Sequence, residues 1–85
     1  MWTVYILRHS ITKQIYIGFT QDLQRRLAEH NAGGQKATHR REGKWMLVYA
    51  EMYRAKVDAA ERERMLKHHG SSKRKLMDRI RHSLL

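Results

Sequence analysis

The chain has 85 residues, 41% of them hydrophobic, which suffices for one modest core and a single domain over residues 1–85. It contains no cysteine, which excludes a disulfide framework and thiolate-ligated zinc sites. Eighteen Lys and Arg against eight Asp and Glu give a net charge of +10, spread over both halves, and a folded domain of that balance attracts polyanions, nucleic acid foremost.

Residues 2–8, WTVYILR, are rich in β-branched and aromatic side chains and read as a strand; residues 14–19, QIYIGF, read as a second. The short HSITK between them suits an antiparallel hairpin. Alternation puts Val4 and Ile6 on one face of the first strand and Tyr5 on the other. In the second strand Ile15 and Ile17 share a face, with Tyr16 and Gly18 opposite. Any register that keeps the four aliphatic residues together therefore places both tyrosines on one face, and if Tyr5 pairs across from Tyr16 the two phenols stand side by side. Paired tyrosines are ordinary cross-strand packing or the beginning of a site.

DLQRRLAEHNAGG reads as a helix capped by Asp22 or Thr20, carrying Leu23 and Leu27 toward the core and ending at Gly33-Gly34. Asp22, Arg26 and His30, spaced i, i+4, i+8, line the adjacent stripe. Arg26 and His30 are thus expected at the border of core and solvent, either as part of an Asp22–Arg26 ion-pair ladder or facing a substrate. Arg25 lies further round, as a phosphate or solvent contact.

Residues 35–44, QKATHRREGK, lack periodicity and read as an exposed basic loop carrying Lys36, His39, Arg40, Arg41 and Lys44. WMLVYAEMY, 45–53, is the third strand. A helix over 56–68 is broken by Gly70, and Ser71 or Ser72 caps a third helix running to about 83, with Leu76, Met77, Ile80 and Leu84 as its apolar stripe. The order β-β-α-β-α-α, with helices on a small, mostly antiparallel sheet, is an α+β arrangement. Within the second helix Glu63 shares a stripe with Ala59 and Leu66, where an ionised carboxylate needs a cation or a metal beside it. Glu61, His68 and His69 read as surface residues.

VYI at 4–6, YIG at 16–18, DLQRRLAEHN at 22–31 and ERE at 61–63, taken in this order, resemble the GIY-YIG nuclease superfamily. The likeness is to its small stand-alone bacterial members, similar to the N-terminal nuclease module of the UvrC repair protein. The resemblance implies a three-stranded antiparallel sheet flanked by helices and a metal-dependent endonuclease acting on DNA rather than RNA, structure-selective or weakly sequence-specific, in repair or recombination. It implies Tyr5, Tyr16, Arg26 and His30 as catalytic residues, Glu63 as the ligand of one Mg²⁺ or Mn²⁺, and Gly18 as the residue that lets the chain turn into the helix. Two features depart from the pattern: the first motif begins with valine, and no asparagine follows Glu63, leaving Lys73 and Lys75 as polar candidates for its place.

Hydrolysis of a phosphodiester would use Tyr16, or Tyr5, to take a proton from water, with His30 relaying it, Arg26 on the scissile phosphate and Glu63 holding the ion. Arg25, Lys36, Arg40, Arg41, Lys44, Lys73, Arg74 and Lys75 are the expected nucleic-acid backbone contacts. No apolar run is long enough to span a bilayer, and the start lacks signal-peptide features, so a cytoplasmic protein without a membrane partner is expected. The competing expectation is a non-catalytic nucleic-acid-binding module, or an accessory subunit needing a protein partner; a homodimer is also left open.

Overall fold

The structure, a computed structural model, describes residues 1–33 and 42–85. Strands β1 (Trp2–His9) and β2 (Ile15–Thr20) lead into helix α1 (Leu23–Asn31); β3 (Trp45–Tyr53) follows, then α2 (Lys56–His68) and α3 (Gly70–Arg79). This is the expected β-β-α-β-α-α order. The sheet runs β2-β1-β3, and β1 pairs antiparallel with both neighbours.

The central strand is apolar on both faces because both are covered. Val4 and Ile6 join Ile17, Ala59, Leu66, Leu76 and Ile80 in a core on one face, under α2 and α3. Tyr5 and Leu7 join Trp45 on the other, where Leu23 and Leu27 of α1 pack on them. The Asn31 side chain fixes the end of α1 to the start of β3: its Nδ2 donates to the Trp45 carbonyl at 3.0 Å and its Oδ1 accepts from the Trp45 N–H at 2.7 Å.

On the α2 face, Glu51 accepts hydrogen bonds from Tyr49, from Tyr53 at 2.7 Å and from Arg62 Nε at 2.6 Å. Burial pushes the Glu51 carboxyl up, but these donors outweigh it and hold it below its usual range. The network ties β3 to α2, the helix that also carries Glu63.

Two boundaries differ from expectation. The chain breaks between α2 and α3 at His69, whose backbone is extended (φ −117°, ψ 98°), and Gly70 already belongs to α3. No serine side chain caps α3; its first turn closes through Ser72 N–H to the His69 carbonyl. The helix stops at Arg79, beyond which i to i+3 bonds such as Ser83 N–H to the Ile80 carbonyl tighten the chain into turns. The stripe itself is as expected, with Leu76 and Ile80 buried and Met77 and Leu84 packed against them.

Candidate active site

β1 and β2 bring the two tyrosines to one face, but not directly opposite each other. The register pairs Tyr5 with Gly18 and Leu7 with Tyr16, so the phenol rings meet diagonally, with centroids 6.2 Å apart. This places Gly18 under the Tyr5 ring. A Cβ there would lie 2.6 Å from the Tyr5 hydroxyl and 2.8 Å from Cζ. Gly18 sits inside β2 rather than at a turn, and its φ is not positive. The strand therefore needs glycine to admit the phenol, which corrects the turn role expected for this residue. Gly18→Ala is expected to lower stability by about 1–3 kcal/mol, read by urea denaturation, because the buried ring cannot move aside.

α1 begins where β2 ends. Asp22 caps it by accepting from the Arg25 N–H at 3.1 Å, so the expected Asp22–Arg26 ladder is replaced by a cap. Arg26 pairs with Glu29 instead, at 3.3 Å, and keeps 38% of its side chain exposed; Arg25, 76% exposed, reaches the same glutamate. His30 is not at the solvent border: it is 1% exposed. Its ring lies edge-on to Tyr16, with centroids 4.6 Å apart, and its Nε2 is 3.0 Å from the Tyr5 hydroxyl. The neighbouring Asn31 ties the last turn of α1 to β3, and His30 in that turn lies buried against both tyrosines.

Burial depresses the His30 pKa, and the nearby Arg26 charge adds to it. The neutral imidazole and the Tyr5 hydroxyl share this hydrogen bond, its direction set by the imidazole tautomer. Burial raises the Tyr5 phenol well above its ordinary value, and the Tyr16 phenol adds to this despite the opposing pull of Arg26. The Tyr5 phenol therefore keeps its proton at neutral pH. Below about pH 6.5, the ordinary histidine value, the unfolded chain gains a proton that folded His30 resists, so stability falls as pH drops. Melting temperatures between pH 7.5 and 5.5 should show this decline, and His30→Gln should flatten it. The Glu51 contribution is lost separately, only as pH falls below about 4.5.

α2 supplies the acidic side. Glu63 is largely buried, with 18% of its side chain exposed, and its Oε2 lies 3.2 Å from Lys67 Nζ. The same ammonium stands 5.8 Å from the Tyr16 ring centroid. Sequence reasoning missed Lys67, although its i, i+4 spacing from Glu63 was a readable signal. Glu61 is exposed and paired with Arg64, as an ordinary surface residue.

Tyr5, Tyr16, Gly18, Arg25, Arg26 and Glu63 all line one cleft of about 630 Å³. His30 closes it from behind, against both tyrosines. Lys44, Lys73, Arg74 and Lys75 are exposed and do not line it, so neither Lys73 nor Lys75 takes an asparagine's place there. Lys36, Arg40 and Arg41 fall outside the described residues. Among the described residues no cluster of three His, Cys, Asp or Glu offers a closed metal site. The cleft is lined by the carboxylates Asp22, Glu29 and Glu63 and by the cations Arg25, Arg26 and Lys56, with both arginines paired to Glu29; the partly buried Glu63 among them fits a hard octahedral ion that keeps its waters and takes its remaining ligands from a substrate phosphate. Among the described residues no helix is long and apolar enough to cross a membrane.

The family model for the GIY-YIG catalytic domain matches residues 1–76. The chain is 36% identical over 67 residues to a UPF0213 protein of Desulfotalea psychrophila, covering 78% of this chain and 60% of that relative. It is 46% identical over 56 residues to a UPF0213 protein of Lactiplantibacillus plantarum, covering 64% and 55% respectively. A UPF0213 protein of Staphylococcus haemolyticus is 40% identical over 65 residues, covering 75% and 77%. The chain thus spans less than two thirds of the first two relatives' length. No solved structure matches it.

Proposed function

The chain belongs to the GIY-YIG catalytic domain family, and from that premise we propose that it is a divalent-metal-dependent endonuclease hydrolysing DNA phosphodiester bonds. The observation that carries this is the convergence of Tyr16, Arg26 and Glu63 from three separate elements on one cleft, with Tyr5 and His30 buried behind.

A phosphodiester entering this cleft meets the Arg26 guanidinium, which donates to the non-bridging oxygens where negative charge grows as water attacks. Tyr16 Oη takes the proton from that water as it gives up its own hydroxyl proton to solvent at the open side of the cleft, so the phenol is regenerated. Its ring is held edge-on by His30, and the Tyr5 hydroxyl, kept protonated, shares a hydrogen bond with His30 and fixes the imidazole in turn. Tyr5 and His30 are positioning residues in this scheme. Glu63 is the residue that would hold Mg²⁺ or Mn²⁺. The ion, when bound, supplies Lewis-acid polarisation and neutralises the leaving oxygen. Lys67, which pairs with Oε2 of this carboxylate, would be free for a backbone phosphate once released from it. The exposed cations Lys44, Lys73, Arg74 and Lys75 contact the backbone beyond the cleft, positioning without reading sequence, and Lys36, Arg40 and Arg41 are proposed as further backbone contacts. A weakly sequence-specific enzyme of DNA repair or recombination in the cytoplasm is the setting this implies.

The Lys67–Glu63 pair is also the observation that favours a second reading, because a carboxylate already neutralised by its own helix needs no metal. On that reading the chain binds nucleic acid without cutting it. Incubating end-labelled linear, flap and four-way-junction DNA with Mg²⁺, Mn²⁺ or EDTA separates the two. Cutting in either metal that stops in EDTA supports the endonuclease; retention of DNA on gels with no cutting in any arm supports the binder.

A further inference from the structure

The cleft is longer than one phosphate requires. Beyond Tyr16, Arg26 and Glu63 it continues to Trp2, Phe19 and Lys56. Trp2 opens β1 and Phe19 lies near the end of β2, and their rings sit side by side with centroids 6.0 Å apart, tilted by 51°. Each packs on the core with one side and borders the cleft with the other. The Lys56 ammonium stands over the Trp2 ring, 5.2 Å from its centroid. A rim aromatic taken singly is peripheral core packing. Here two adjacent rings and a cation share the cleft that holds the phosphate-handling groups.

We propose that Trp2 and Phe19 form a nucleobase-stacking subsite, with Lys56 as its phosphate contact, so that the substrate carries an unpaired base close to the scissile bond. This rests on the endonuclease reading for the position of the cut. Lys56 and Glu63 are seven residues apart on α2, hence two turns along one face and about 10 Å apart along the axis. That is roughly the reach of one to three nucleotides of a single strand. A phosphate arriving there draws the Lys56 ammonium off the indole and leaves the ring face to a base. Every base has a π-face, so the subsite tolerates all sequences. Within a duplex each base is already stacked on its neighbours, and using the subsite requires unstacking it first. Single strands, flaps and frayed ends escape that cost. The subsite therefore selects DNA structure rather than sequence.

The indole reports its own occupancy. The chain has two tryptophans, and Trp45 is 4% exposed in the core, so a base stacking in the cleft quenches Trp2. The experiment titrates the protein in EDTA with a short single-stranded oligonucleotide, the same strand in a blunt duplex, and single strands carrying one abasic residue at successive positions. Tryptophan emission and affinity are both read. The expected result is quenching by the single strand and little by the duplex. Trp2→Leu should lose the quenching and about 5- to 100-fold of single-strand affinity. The abasic series on the unaltered protein needs no variant to fold, and one position should reproduce the loss. Binding without quenching, or equal affinity across the abasic series, overturns the subsite. Quenching with no metal-dependent cutting upholds the subsite while removing the endonuclease reading; cutting without quenching does the reverse.

Discussion

Tyr16→Phe is expected to lower cleavage by about 10²–10⁴-fold, the range for loss of a proton-transfer group, while leaving the fold intact. Tyr5→Phe should act differently. The two phenols share one face and similar motif positions, yet their surroundings divide them. Tyr5 is 1% exposed, its hydroxyl engaged with His30, and burial keeps its proton on. Removing that hydroxyl leaves the buried His30 Nε2 without this partner and should cost about 1–3 kcal/mol of stability, with activity lost only as far as His30 and the Tyr16 ring shift. Tyr16 is half-buried and borders the cleft, beside the Lys67 ammonium. Single-turnover cleavage rates and urea denaturation on both variants measure the contrast. Equal rate losses, with Tyr5→Phe no less stable than the parent, would show that the proton-transfer role belongs to both or to neither.

The sheet and its faces were legible because they follow from short-range rules. The alternation of Val4, Ile6, Ile15 and Ile17 fixes which way Tyr5 and Tyr16 point whatever the register. The register itself was not legible, since the HSITK turn lacks the glycine or asparagine that selects a hairpin type. It follows from packing: with Tyr5 opposite Gly18 the phenol fits, whereas another side chain at position 18 would collide with it. The glycine in YIG was visible, but its reason, room for the Tyr5 ring thirteen residues earlier on the adjacent strand, needed three dimensions.

His30 shows a second limit. A helical stripe reads as an angle around an axis, and from the angle alone His30 belonged with Arg26 at the solvent border. How deeply each turn of α1 lies depends on contacts distant in sequence, such as the Asn31 clamp on Trp45 between residues fourteen apart. The same holds for the break at His69, where backbone conformation rather than the nearby glycine ends the helix. Glu63 was legible as an anomaly, a carboxylate among Ala59 and Leu66. Its partner could be read by the same spacing rule that placed it, one turn later at Lys67.

That partnership shapes what Glu63→Gln should do. The substitution keeps the volume and one acceptor but removes the charge, and with it the anionic ligand a hard divalent ion requires. A Lewis acid contributes several kcal/mol at a phosphoryl oxygen, so cleavage in Mg²⁺ should fall by about 10³-fold or more. Binding should not fall with it. The change raises the net charge from +10 by one, to +11, and frees Lys67 from its 3.2 Å pairing. Both effects favour a polyanion, so affinity for uncleaved DNA in EDTA is expected to hold or rise modestly, more so at low salt. Lys67→Met isolates the other half: with Glu63 unpaired, Mn²⁺ should bind the protein more tightly in the absence of DNA, read by titration calorimetry. A Glu63→Gln protein that cuts at the parental rate would remove the carboxylate from the chemistry and leave the cleft as a binding groove. If it neither cuts nor binds, Glu63 is needed to hold α2 against the sheet, and the Lys67→Met titration then decides whether the carboxylate takes a metal at all.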